Sequence, residues 1–260
     1  MINQTRFQNL RHRWEERARR NTTTLRGVLC QGLSAIINEY INKFHIAQVK
    51  KWFIQKMCRE ALVLDLGCGY GRISKVIREL RPDINLFGLD FAMNYCELYR
   101  KYINSESICG EIQALPFSHA SFDGILAITS LMYVSREQRP SVTKQILDLI
   151  KPNGYILFVD PGQELMQAVS SLRPQSTHET TGGLGFYSYE YKKLIVDSGG
   201  EIIAYGGMPT FTLMLPVLIA LEKVPLLQRS LLSFIKLWDN LFGHFWKFSL
   251  HRWIFVRKIN

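Results

Sequence analysis

Only five cysteines occur in the 260-residue sequence, and none stands at CxxC spacing or in a cluster with histidines. Cys30, Cys58, Cys68, Cys96 and Cys109 are odd in number and far apart, so neither a disulfide framework nor a structural metal site is expected. Long apolar runs are also scarce. The longest, Phe211 to Leu221, is interrupted by Pro216 and falls short of the ~18 to 20 residues that cross a bilayer, so no transmembrane helix is expected. The opening MINQTRFQNLRHRWEERARR has charges but no apolar stretch behind them, which argues against a cleaved secretory signal and for a reducing, cytoplasmic setting. Internal repeats and low-complexity linkers are missing as well.

What is present suits one α/β domain with decorations. Hydrophobic residues make up 47% and charged residues 21%, enough apolar material for a buried sheet between two helical layers and too much for wholesale disorder. The net charge is +10, with Arg11, Arg13, Arg17, Arg19 and Arg20 near one end and Arg252, Arg257 and Lys258 near the other. Such an excess favours anionic partners. Charge alone does not choose among nucleic acid, an acidic lipid surface, a phosphorylated or carboxylated substrate, and a solvated face with no partner.

Leu33, Ile36, Ile37, Tyr40, Ile41 and Phe44 recur at helical spacing and predict an N-terminal helical cap within residues 1–58. Short apolar strands then alternate with helices: ALVLDL, NLFGLD, FDGILAI and GYILFVD, with helices from about Arg72, near Met93 to Tyr102 and near Val142 to Ile150. That alternation predicts a parallel sheet with right-handed crossovers. A further helix with Ser188 as candidate N-cap, followed by the strand EIIAYG, completes a core over 59–207. Residues 208–249 read as an apolar helical insertion, and RWIFVRK, within 250–260, as a last strand at the sheet edge. In the insertion, Arg229, Ser233, Lys236, Asn240, His244 and Lys247 form a polar stripe on one helix that Pro225 starts and Gly243 bends or breaks. Its remaining faces are apolar. They suit packing on the core, a roof over a hydrophobic acceptor, or an interfacial helix among lipid headgroups with its lysines outward.

The run VLDLGCGYGR puts Gly67, Gly69 and Gly71 after a buried strand and at the mouth of a helix, where ligands dock on open parallel sheets. A glycine turn alone is shared with dinucleotide enzymes. Asp65, however, sets a carboxylate beside the pocket, which suits a cationic amino group and repels a pyrophosphate. Asp90, at the end of the next strand, can accept both hydroxyl protons of a ribose; the competing, lesser role is a helix N-cap.

Four segments in order, VLDLGCGYGR, GLDFAMNY, GEIQALPFSHASFDGILAITSLMYV and KPNGYILFVDPG, make the sequence resemble the class I S-adenosylmethionine-dependent methyltransferase superfamily. The likeness is to the type 11-like branch with LPF and FD motifs and covers about Ala61 to Gly162. It implies a Rossmann-like, seven-stranded, mostly parallel sheet with helices on both faces, S-adenosylmethionine as cofactor and S-adenosylhomocysteine as product. By the same resemblance Asp65, Gly67, Cys68 and Gly69 hold the methionine part, Asp90 the ribose, and Phe91 or Met93 packs on adenine. Glu111 stands where such proteins usually carry an Asp bonding the adenine amino group, Ile112 offers its backbone amide, and Thr129 faces the methionine chain and the transferring methyl.

Methyl transfer needs in-line alignment and, for a hydroxyl or acidic carbon acceptor, removal of a proton. His12 and His119 read as exposed. His178 in STHETTGG, where the resemblance places substrate-covering loops, and Tyr133 in SLMYV, where relatives often carry a histidine, are the catalytic candidates. There is no Asn-Pro-Pro-aromatic tetrad after FDGILAI and no Pro-Cys pair, which disfavours transfer to an exocyclic base amine or through a cysteine adduct. With the apolar insertion, this favours oxygen or carbon methylation of a small or medium hydrophobic acceptor: a lipid, isoprenoid, polyketide or aromatic. An RNA methyltransferase and a non-catalytic scaffold are the alternatives. Peripheral membrane contact through the insertion is a further expectation.

Overall fold

The computed structural model describes residues 2–164 and 183–259. Seven strands form one sheet: β1 (Leu62–Leu66), β2 (Asn85–Asp90), β3 (Ser107–Cys109), β4 (Phe122–Ile128), β5 (Ile150–Pro161), β6 (Gly200–Gly207) and β7 (His251–Lys258), in the order β3-β2-β1-β4-β5-β7-β6. β1 to β5 run parallel, and β7 is antiparallel to both β5 and β6. The central strands are buried nearly throughout, as a parallel sheet covered on both faces must be.

One expectation is corrected here: β7 is not an edge strand. Arg252 to Val256 are buried in unbroken succession, which requires neighbours on both sides as well as cover on both faces. The edge falls to β6, whose Ile203 and Tyr205 are exposed.

Helices α4 (Arg72–Leu80), α5 (Met93–Ile103), α6 (Arg139–Leu149) and α7 (Ser188–Asp197) supply the layers. One face of the sheet packs Leu64, Ile125, Ile156 and Ile254 against α6 and α7 residues such as Ile146 and Ile195. The other packs Val63, Leu126, Leu157 and Phe255 with Ile73, Ile77 and Phe53. Ser188 is the first residue of α7, and Tyr187 holds the cap position.

The N-terminal cap divides in two. α1 (Ile2–Asn21) lies against the start of α5, with Trp14 and Ala18 packed on Tyr70 and Tyr95, and α2 (Leu25–Val28) follows it. α3 (Ala35–Gln48), capped by Ser34 whose hydroxyl accepts from the Ile37 amide at 3.3 Å, joins a different cluster. Its Ile37 and Ile41 pack with Phe211 and Leu215 of α8 (Pro209–Ala220) and Leu232 and Ile235 of α9 (Pro225–Phe242). α8 and α9 form a hairpin with polar fastenings at both ends. The Asp239 carboxylate accepts from the amides of Thr210 at 2.7 Å and Phe211 at 3.2 Å, and the Gln228 amide donates to the Leu218 carbonyl at 2.8 Å. Gly243 ends α9 rather than bending it.

Candidate cofactor site

The cleft opens beyond the carboxyl ends of β1, β2 and β4, beside the point where the strand order reverses between β1 and β4. It encloses about 880 Å³ of empty space, part of it open to solvent.

The glycines of the loop are required first by the protein's own packing. Gly67, Gly69 and Gly71 have φ of +77°, +52° and +86°, the left-handed region that favours glycine. A Cβ on Gly67 would lie 2.6 Å from that of Ser130, and one on Gly71 would overlap Ile103 of α5. Close approach of a ligand is thus a second reason for glycine here, not the leading one.

The loop has little to offer an anion. The Gly67 and Cys68 amides both donate to the Leu89 carbonyl, at 2.7 and 3.0 Å, and the Gly69 amide donates to the Asp90 carboxylate at 2.9 Å. Asp65 occupies the N-terminus of α4, where it accepts from the Ser74 hydroxyl at 2.6 Å and from the Ser74 backbone. In a dinucleotide site these amides and this helix end would face a pyrophosphate. Here the Leu89 carbonyl and two carboxylates hold them, which leaves a negative site suited to a cation.

The N-cap position of α5 is held by Ala92, while Asp90 borders the cleft. Its second oxygen accepts from the Ala92 amide at 3.0 Å, bracing the entry to α5, and the carboxylate lines the cleft with lone pairs left for hydroxyl donors. Burial pushes Asp65 and Asp90 each up to about 6. Arg72, also in the cleft wall, is brought down to about 10 by burial. It donates to Asn42 Oδ1 at 2.8 Å and to His45 Nδ1 at 3.0 Å. A guanidinium only donates, so His45 must carry its proton on Nε2 and pass the hydrogen bond to His251 Nδ1 at 3.1 Å. Burial keeps both imidazoles neutral, His45 well below its ordinary range and His251 at about 4.

Of the residues expected around the cofactor, Asp65, Gly67, Cys68, Gly69, Asp90, Phe91, Glu111, Ile112 and Thr129 all border the cleft. Met93 does not. Its side chain is 47% exposed, because the chain has already turned into α5, and its amide is taken by the Glu15 carboxylate of α1 at 2.6 Å. Thr129 has φ +58°, and its amide donates to the Val159 carbonyl at 2.6 Å, which turns the chain sharply from β4 along the cleft floor. Tyr133 also borders the cleft, its ring edge-on to Trp14 at 5.6 Å. His12 and His119 are exposed, and His178 lies outside the described residues.

Three further cleft residues are not singled out by the sequence pattern. Trp14, Gln113 and Ser130 line the cleft, and Trp14 Nε1, Gln113 Oε1 and Ser130 Oγ are buried without a hydrogen-bond partner in the protein. Stranded polar atoms of this kind cost about 1–3 kcal/mol each unless a ligand or water meets them. All three belong to residues of the cleft wall, which sets a demand there for both donors and acceptors. S-adenosylmethionine, with an ammonium, a carboxylate, a ribose diol and an adenine, fits that demand and the paired carboxylates. α1 closes this side. Glu15 also accepts from the Asn94 amide at 3.1 Å, and the Arg11 Nε donates to the Phe91 carbonyl at 2.8 Å, so the helix straps the end of β2 to the start of α5.

A pH dependence follows. An ionised carboxylate binds an ammonium and accepts hydroxyl protons, and a neutral one does so poorly. With Asp65 and Asp90 both near 6, affinity for S-adenosylmethionine should hold from pH 8 to about 6.5 and weaken below, by up to about tenfold per pH unit for each group. The same raised values mean that the ligand-free fold loses stability as pH rises through about 6, and binding restores it. Calorimetry across this range is the check, and flat affinity down to pH 5 would show that the carboxylates do not meet the ligand.

Comparison with known proteins agrees with this geometry. Residues 63–154 match the family model described as a methyltransferase domain. The demethylmenaquinone methyltransferase of Thermotoga maritima is 27% identical over 139 residues, 53% of this chain and 54% of that protein. The tRNA N(3)-methylcytidine methyltransferase of Schizosaccharomyces pombe is 25% identical over 111 residues, 38% of this chain and 43% of that one. The chain spans about half or less of the length of the curated relatives it matches first. Among solved structures, geranyl diphosphate C-methyltransferase from Streptomyces coelicolor A3(2), in complex with S-adenosyl-L-homocysteine, aligns with a TM-score of 0.61 at 11% identity, covering 86% of this chain and 83% of that one. Residues 63–154 are thus a methyltransferase domain, carried on a sheet whose fold is that of S-adenosylmethionine-dependent methyltransferases.

Proposed function

We propose that the protein transfers a methyl group from S-adenosylmethionine to the oxygen or carbon of a small or medium hydrophobic acceptor, in a cytoplasmic setting. The observation that carries the acceptor class is the uncharged part of the cleft lining. Leu10, Trp14, Val28, Ile128 and Tyr133 form it, and none of them carries a charge. A wall of this kind binds apolar surface and excludes water, and the few polar atoms in it fix orientation.

Bound S-adenosylmethionine supplies an electrophilic methyl sulfonium. In this reading Asp65 holds the ammonium, Asp90 the ribose, and Glu111 with Ile112 the adenine edge. Trp14 on α1 covers the cleft. Tyr133 stands on the acceptor side, where its hydroxyl orients the attacking atom or takes its proton, and His178 is the second candidate for the proton. The acceptors named for the relatives, demethylmenaquinone and a tRNA cytidine, differ widely, and the uncharged wall favours the first kind.

Incubating the protein with methyl-labelled donor and fractionated cell extract tests the proposal. Label should enter the organic-soluble fraction, and Tyr133→Phe should lower kcat on that acceptor while leaving donor affinity unchanged. Label confined to RNA, with affinity falling steeply as salt rises, would establish the RNA reading instead.

A further inference from the structure

The apolar insertion does not turn its polar stripe to solvent and bury the rest. Along α9 the buried positions are Gln228, Leu232, Ile235 and Asp239, one face at steps of three and four. At about 100° per residue, the opposite face carries Leu226, Ser230, Phe234, Leu237 and Leu241. That outward face is apolar and exposed: Leu226 by 82%, Leu241 by 60%, Phe234 by 56%. Trp238 and Phe242 flank it, and Leu213 and Val217 of α8, Phe245 and Phe248 are exposed as well. Single exposed apolar residues need no explanation, but a row along a whole helix does.

The charges beside the row select the partner. Arg229 and Lys236 run along one flank of α9, between its buried and outward faces, and Lys223 and Lys247 stand exposed just before and after the helix. The segment 208–249 contains two carboxylates, Glu222 and Asp239, and Asp239 is consumed inside the hairpin. Glu39 of α3, paired with Lys43, also lies near Arg229, yet a second copy set face to face would bring together flanks on which Lys223, Arg229, Lys236 and Lys247 outnumber Glu39 and Glu222. No described helix is long and apolar enough to cross a membrane. An apolar face bordered by basic residues and an aromatic, on a helix that cannot span, is the pattern of a segment lying in a headgroup layer.

We infer that the outward face of the α8–α9 hairpin docks the protein on an anionic lipid bilayer, with Leu226, Phe234, Leu237 and Leu241 inserted and Arg229 and Lys236 at the phosphate level. This rests on the exposed face and its charges, not on the acceptor proposed above.

The test is co-sedimentation of the full chain with vesicles of phosphatidylcholine alone and of phosphatidylcholine mixed with phosphatidylglycerol, and calorimetry with S-adenosylmethionine reports whether each variant is intact. The wild type should bind the mixed vesicles, more weakly as salt rises, and the neutral vesicles little. Leu237→Glu with Leu241→Glu should abolish binding with donor affinity unchanged. Arg229→Gln with Lys236→Gln should weaken it by roughly tenfold or more. No binding of the wild type to mixed vesicles, or equal binding by the Leu237→Glu, Leu241→Glu variant, overturns the inference. So does a lipid-free dimer that this variant converts to monomer, since the face would then belong to a second copy.

Discussion

Replacing Asp90 by alanine should reduce affinity for S-adenosylmethionine by at least about a hundredfold. Two hydroxyl donors of a ribose meeting a buried carboxylate form charge-assisted bonds worth about 1.5 kcal/mol or more each, and every 1.4 kcal/mol is a factor of ten. The same change strands the Gly69 and Ala92 amides, so the loop itself loosens. Asp90→Asn separates the two effects. It keeps an acceptor for one amide and removes the charge, so binding should fall less than in Asp90→Ala and lose part of its dependence on pH near 6. Calorimetry on the three proteins, with far-ultraviolet circular dichroism to confirm folding, decides. Affinity retained within a few-fold in Asp90→Ala would remove the ribose role.

The largest loss of stability is expected from Arg252→Leu. Arg252 on β7 is fully buried and spends its guanidinium on the carbonyls of Trp246 at 2.9 Å, Phe186 at 2.6 Å and Lys247 at 2.6 Å, and on Glu164 Oε2 at 2.6 Å. Leucine fills part of the volume and removes four hydrogen bonds; the Phe186 and Trp246 carbonyls keep the amides of Gln163 and Ser249, whereas the Lys247 carbonyl and Glu164 Oε2 lose the guanidinium. The cost should be about 3 kcal/mol, or a fall in Tm of roughly 6–12 °C for a chain of this size. Arg252→Lys, with one point charge for a five-donor fork, should fall between. Exposed pairs such as Lys193 with Asp197 make the control, because solvent screens them and their removal should leave the denaturant midpoint unmoved. An Arg252→Leu midpoint equal to the wild type would show that Arg252 ties nothing together.

The parts of the site legible in the sequence are those made by a few consecutive residues. Asp65, the three glycines, Asp90 and Thr129 sit at ends of strands whose apolar runs announce themselves, and the topology then brings those ends together. Met93 fails for a local reason: one turn beyond Asp90 the chain is already helix, and Phe91 alone stays at the cleft. Trp14 and Glu15 were beyond reach because their partners, Tyr133, Met93 and Asn94, lie about 80 or more residues away and α1 is too polar to show which face it buries. Gln113 and Ser130 carry a weak signal, since each is within two residues of an expected contact. The polar stripe of α9 was visible, but not its orientation. Periodicity identifies a boundary between faces, and only the packing of Gln228 and Asp239 against α8 shows which side is inward. For β7 the five buried residues in succession pointed to an interior strand, and order in the chain pointed to an edge.

The place of β7 also sets an order of assembly during translation. Among the described residues β6 has no neighbour in the sheet other than β7, and about forty residues separate the two. Until His251 to Lys258 emerge from the ribosome, β5 presents an unpaired flank and β6 has nowhere to dock. A nascent chain stalled within α8 or α9 therefore carries an open, apolar ladder, the template on which neighbouring chains add strands. Synthesis of β7, rather than of the cofactor loop, is the event that closes this ladder.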